Sequence, residues 1–240
     1  MDLAMTDTSP IVIVTGAAGN VGRALLTTLA SRGDRIIAVD RQSSAMGDLL
    51  QPFGGADRHL VLADLDLFDA AACEAAIKAG LARYGRIDGI AHTVGGFASA
   101  AAAEGGPDLW EQMYRLNVLT TLNIFRAALP PMRAAGRGSL VAIGAGAAVK
   151  APSGLGAYAG AKSAVHRLVE SFADEFKADR IRVNAILPSI IDTPQNRAAM
   201  PDADHTAWVR PREIADAIAF LLAEDASGVT GAFIPVSGRV

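Results

Sequence analysis

The sequence predicts one α/β domain built on an open, doubly wound parallel sheet of about seven strands. Three observations predict it. Short β-branched runs alternate with amphipathic stretches along the whole chain. The strand runs, IVIVT at 11–15 among them, are apolar throughout, as parallel strands covered on both faces must be. A glycine-rich string, TGAAGNVG at 15–22, separates the first strand from the first helix, where folds of this class turn their backbone toward a ligand.

In chain order, strands are expected at 11–15, 35–40, 59–63, 87–92, 139–144, 181–187 and 232–236. Helices are expected near 20–32, 69–83, 108–134, 156–178 and 211–223. In the last of these, Ile214, Ile218, Leu221 and Leu222 share one helical face. Residues 1–10 are expected to be a loose tail and 11–240 a single Rossmann domain. The Ala/Gly-rich segment 98–106 reads as a loop within the domain. The connection from Pro188 to Pro211 is long enough to serve as a lid, placed near 188–210.

The totals agree with a filled core. The 240 residues are 51% hydrophobic and 20% charged, with mean hydropathy +0.28. A net charge of −3 gives no basic surface for nucleic acid or an anionic membrane. No apolar run has the length of a membrane span, and MDLAMTDTSP lacks the pattern of a secretory signal. A cytoplasmic location is the expectation. Cys73 is the only cysteine, so no internal disulfide forms, and it reads as a helix residue without a chemical role. No metal site is expected.

Glycines after a first strand let the backbone approach a pyrophosphate, whose charge the following helix N-terminus stabilises. Gly16, Gly19, Asn20, Val21 and Gly22 are the candidate cradle. The spacing puts Asn20 where a glycine is commoner. Asp40 ends the second strand, about 20 residues beyond, where a carboxylate accepts from the ribose hydroxyls of NAD and repels a 2′-phosphate. Arg41 next to it offers the opposite pairing, so NAD(H) is favoured and NADP(H) possible. Asp64 and Leu65, after the third strand, are candidates for the adenine, with a helix cap as the alternative for Asp64. Thr93, Val94 and Gly95, after the fourth, would pass the ribose. His92 reads as packing.

Tyr158 and Lys162 are four apart in a helical stretch and therefore share a face. A nearby ammonium favours the phenolate, so Lys162 and an oxidised nicotinamide would lower the Tyr158 pKa. Tyr158 could then give a proton to an atom that has just received hydride. Asn117, in RLNV, could hold a water that relays protons to the lysine, or be a satisfied core amide.

Taken together these residues, in this order and spacing, resemble the short-chain dehydrogenases/reductases over essentially the whole length. The resemblance implies that Tyr158 is the acid/base, that Lys162 binds the nicotinamide ribose and tunes the tyrosine, and that Asn117 supports the relay. It also implies that Pro188, Ile190 and Thr193 follow the sixth strand beside the carboxamide and phosphates. The usual serine of the family stands thirteen residues before the tyrosine, and here that position is Ala145. That serine polarises the substrate carbonyl, and losing such a donor costs on the order of 10²–10³ in rate. Either Ser153 or Thr93 substitutes for it, or the protein binds cofactor without turnover, or the substrate needs no polarisation.

The last possibility gains from a narrower resemblance. DTPQNRAAMPDADHTAW at 192–208, the stretch ending in YAGAKSAVH with no serine at 145, and VGGF at 94–97 are similar to the dihydropteridine reductases. That likeness implies an electron-poor conjugated imine or quinonoid, pterin-like substrate, for which one acid suffices. Phe97 stands where those enzymes carry a tryptophan beside the pterin, and Asn117 fits the broader family better. Met200 and Trp208 of the lid could cover an aromatic substrate or close a hydrophobic cluster. Gln195 and Asn196 could meet ring heteroatoms or cap a turn. A homodimer or homotetramer built on the helices at 108–134 and 156–178 is implied. The competing classes are a silent dinucleotide-binding regulator, an ordinary ketone/alcohol enzyme, and, last, a sugar-nucleotide epimerase.

Overall fold

The structure is a computed structural model that describes residues 8–42 and 46–240. Seven strands form one parallel sheet in the order β3-β2-β1-β4-β5-β6-β7. They are β1 Ile11–Thr15, β2 Arg35–Val39, β3 Leu60–Leu62, β4 Gly89–His92, β5 Gly138–Ile143, β6 Ile181–Pro188 and β7 Phe233–Val236. The helices are α1 Asn20–Arg32, α2 Met46–Leu50, α3 Gly55–Arg58, α4 Ala70–Tyr84, α5 Pro107–Tyr114, α6 Thr120–Ala135, α7 Gly156–Glu175, α8 Pro194–Ala199 and α9 Pro211–Leu222. The doubly wound fold class is as the sequence predicts.

Strand alternation divides the core. Ile11 and Ile13 point into a layer with Ile77 of α4, Phe125 of α6 and Val165 of α7. Val12 and Val14 point into the other, with Leu25 of α1 and Ile218 of α9. Both faces are thus covered, and this is why the strand sequences carry no polar alternation. Cys73 is fully buried in α4, where burial pushes its thiol up to about 12, so it stays an unreactive thiol.

The helix expected over 108–134 is broken. Between α5 and α6 lies a π-helical turn, Arg115–Leu119. The Thr120 and Thr121 hydroxyls donate back to the Leu116 and Asn117 carbonyls at 2.7 Å each. Such back-bonding competes with the helical ladder, and π turns of this kind occur mostly at functional sites. The helix expected to 178 ends at Glu175 and is followed by a 3₁₀ turn, Lys177–Asp179.

Residues 1–7 of the expected tail lie outside the described residues. Its last two are tied down: Arg86 donates to the Ser9 carbonyl at 2.8 Å, and the Arg35 N–H to that of Pro10 at 2.8 Å. No helix among the described residues is long and apolar enough to cross a membrane.

Candidate active site

A parallel sheet of this order reverses direction between β1 and β4, and a crevice opens beyond the carboxyl ends of the strands there. A cleft of about 250 Å³ lies at that point. Of the expected residues, Gly16, Gly19, Asp40, Arg41, Leu65, Thr93 and Gly95 line it. Phe68, Leu116 and Thr120 line it too and were not anticipated. They come from a loop, the π turn and the first residue of α6, and no local pattern marks them as ligand-facing.

The glycine turn is built so that no side chain fits. Gly16 has φ +69°, and a Cβ there would lie 2.8 Å from Thr93 Oγ1. A Cβ on Gly22 would lie 2.1 Å from the Gly16 carbonyl oxygen. The helix that follows has no side-chain cap and no acidic residue in its first turn. Its first N–H groups are therefore left for an anion, and the cradle fits a dinucleotide diphosphate.

Asp40 is held beside that turn. Its carboxylate accepts from Ala18 N–H at 3.0 Å and from Gln42 N–H at 3.0 Å, one on each oxygen. Each oxygen keeps a lone pair for a ribose hydroxyl. Asp64 is exposed and adopts a left-handed φ of 60°. It caps no helix; Asp69 caps α4 by accepting from Ala71 N–H. Val21 sits within the first turn of α1.

His92 is packing, as expected. Its ring nitrogens meet the Thr15 and Thr120 hydroxyls at 2.8 and 3.2 Å, and burial holds its pKa down to about 3. The Thr93 hydroxyl donates to the Thr15 carbonyl at 2.8 Å, which removes it as a stand-in for the missing serine.

Tyr158 and Lys162 of α7 do not line that cleft; Lys162 is buried and Tyr158 half-buried, and Lys162 Nζ comes up beside Gly95, which does line it. The Lys162 ammonium lies 5.9 Å from the Tyr158 ring centroid and donates to the Ile143 carbonyl at the end of β5 at 2.7 Å. Burial lowers Lys162 to about 8 and raises Tyr158 to about 12. The lowering of Tyr158 expected from Lys162 is not realised in the chain alone, because desolvation of the phenol outweighs it.

Asn117, buried on the π turn, spends its side chain on backbone. It accepts from Gly96 N–H at 3.2 Å and donates to the carbonyls of Gly96 at 3.1 Å and Met113 at 2.9 Å. It thereby anchors the segment that carries Phe97. That ring is 64% exposed and meets Tyr158 edge-on, centroids 5.1 Å apart. Gly95 fits where a Cβ would lie 2.9 Å from Asn117 Oδ1 and 3.4 Å from Lys162 Nζ, so the three residues close on one point.

Ala145 is buried. Its N–H is directed at His166 Nε2, 3.5 Å away, and that imidazole is kept neutral by burial, its pKa lowered to about 4. His166 was not foreseen; a histidine on an amphipathic helix gives no signal. Ser153 is exposed on the loop before α7.

The lid holds together internally. Pro188 pairs with Val236, and the Ile190 carbonyl accepts from Val209 N–H at 3.0 Å. The Thr193 hydroxyl accepts from Asn196 N–H and caps α8, and Asn196 Nδ2 donates to the Ile191 carbonyl at 2.8 Å. Gln195 Oε1 accepts from Asn20 Nδ2 at 3.0 Å. The Met200 carbonyl bonds His205 Nε2 at 2.8 Å. Trp208 is only 5% exposed and lies on His205, centroids 4.4 Å apart.

A glycine turn open to an anion, a carboxylate beside it and a half-buried tyrosine next to a buried lysine are the parts of a dinucleotide-dependent oxidoreductase. The short chain dehydrogenase family matches residues 10–204, and the chain belongs to that family. It is 31% identical to 2-(R)-hydroxypropyl-CoM dehydrogenase of Xanthobacter autotrophicus, across 96% of this chain and 98% of that enzyme. It is 28% identical to (-)-trans-carveol dehydrogenase of Rhodococcus erythropolis, across 94% and 95%. Among solved structures, carveol dehydrogenase from Mycobacterium avium in complex with NAD superposes with a TM-score of 0.85 at 28% identity, covering 95% and 96%. The protein is accordingly an NAD(P)-dependent oxidoreductase.

Proposed function

We propose that the protein is an NADH-dependent reductase acting on a small conjugated imine, a quinonoid, pterin-like ring or an activated carbonyl. The observation that carries this reading is position 145. It has no side-chain donor, and its backbone N–H is turned to His166, so nothing there polarises a ground-state ketone. A substrate that is already electrophilic has no need of it.

Bound NADH supplies the hydride. The chain supplies the proton. A phenol raised to about 12 is fully protonated at neutral pH, which is the form reduction requires. Lys162, held by the Ile143 carbonyl, is cationic below about 8 and favours the phenolate left behind. Phe97, edge-on to Tyr158, offers an aromatic wall for a planar substrate, and Asn117 fixes that wall. Asp40 favours NADH over NADPH. Asp64, Leu65, Ile190 and Thr193 complete the dinucleotide site, and the homo-oligomer forms on α5, α6 and α7.

A second reading has its own support. The related enzymes are named for alcohols, hydroxypropyl-CoM and carveol. On that reading the protein is an ordinary ketone/alcohol enzyme, and the exposed Ser153 hydroxyl replaces the serine.

One experiment separates them: NADH oxidation by the wild type and by Ala145→Ser with a quinonoid dihydropterin, a cyclic imine and simple ketones. The expected result is turnover of the pterin or imine. Ketones should gain only in Ala145→Ser, by on the order of 10²-fold, the worth of one such donor. Wild-type ketone turnover lost in Ser153→Ala establishes the second reading. NADH binding without turnover of any acceptor leaves the silent regulator.

A further inference from the structure

The sequence places Asn20 where a glycine is commoner, and the structure gives that side chain a use outside the cradle. Asn20 is the first residue of α1. Its side chain does not cap its own helix. It crosses to the lid, where Nδ2 donates to Gln195 Oε1 at 3.0 Å, a partner 175 residues away in sequence.

The two ends of this bond are otherwise independent. Asn20 moves with the glycine turn and β1. Gln195 rides on α8, whose base is fixed by the Thr193 cap and by the ion pair of Arg197 with Asp192 at 2.5 and 2.8 Å. The two ends of the lid are joined to each other where Ile191 bridges Val209, outside the sheet. The Asn20–Gln195 bond ties the start of α8 to the first residue of α1, beside the helix's uncapped N–H groups.

We propose that Asn20 and Gln195 form a clasp that sets the rate at which the dinucleotide leaves. The inference rests on the NADH reading of the crevice. A glycine at position 20 would serve the cradle equally well and leave the start of α8 untied. The asparagine adds a bond that must break before the lid lifts from the diphosphate. An exposed neutral hydrogen bond is worth about 0.5–1.5 kcal/mol, so its loss is read as roughly a 2- to 10-fold faster release.

The test is stopped-flow release of NADH, followed by its fluorescence, from the wild type, Gln195→Ala, Asn20→Gly and the double variant. Each single variant is expected to release NADH about 2- to 10-fold faster. The double variant is expected to be no faster than the singles, since one bond can be lost only once. Unchanged rates in Gln195→Ala, or effects of the two substitutions that multiply, overturn the clasp and leave the cofactor reading intact. Failure of the wild type to bind NADH in an equilibrium titration overturns both.

Discussion

At the residue scale, the site divides its labour between a phenol and an ammonium. Burial raises Tyr158 and lowers Lys162: it keeps the proton on the phenol at neutral pH, but it works against the ammonium, which survives only below about 8. Tyr158→Phe keeps the ring, and with it the edge contact to Phe97, but removes the proton. The expected outcome is a fall in kcat of about 10²–10⁴, the usual worth of a positioned general acid, with the Kd for NADH unchanged. Full activity in this variant rejects Tyr158 as the donor. The nearness of Tyr158 to Lys162 was legible because it is local: four residues apart on one helix. The roles of Asn117, Asn20 and Thr193 were not. Each side chain could as well have faced ligand, and what decides is a backbone or side-chain partner that the sequence does not reveal.

At the scale of elements, the strands were legible because a covered parallel sheet leaves an unbroken apolar run, and Ile11–Thr15 ends where the sequence says it does. The break at Arg115–Leu119 was hidden because its cause is tertiary. The Asn117 side chain bonds Gly96, twenty-one residues earlier, and the turn opens to let it. The six-residue α8 is too short to carry a period. The glycine turn is the element most tightly specified. A methyl on Gly22 would meet the Gly16 carbonyl oxygen at 2.1 Å, a backbone atom that can yield only by shifting the turn. Gly22→Ala is therefore expected to weaken NADH binding roughly 10- to 100-fold, the equivalent of about 1–3 kcal/mol of overpacking. Calorimetric titration measures it, and unchanged affinity means that the turn does not hold the dinucleotide.

At the scale of the whole molecule, three buried histidines whose pKa burial lowers, His59, His92 and His166, tie stability to pH. His92 and His166 have folded pKa values of about 3 and about 4 against 6.5 unperturbed. Above 6.5 neither state binds these protons, and their contribution is fully present. As pH falls from 6.5 toward 4, the unfolded chain takes up both protons and the folded chain does not, so stability is lost. The slope approaches about 2.7 kcal/mol per pH unit for two such groups. Denaturant midpoints at pH 7, 6 and 5 are expected to fall in that order. Replacing His166 with Gln should flatten the decline, and a midpoint independent of pH over this range rejects the assignment.

The join at the base of the lid has a consequence for how such a protein diversifies. Asp192 N–H bonds the Val209 carbonyl at 2.7 Å, and Val209 N–H returns to the Ile190 carbonyl. The segment between them leaves and returns at one point, outside the named strands. Among the described residues, two bonds tie it elsewhere: Asn20 Nδ2 to Gln195 Oε1, and Arg239 N–H to the Ala207 carbonyl at 2.8 Å. With its ends closed on each other, a change of length inside 192–208 falls on those two bonds before it reaches the strands.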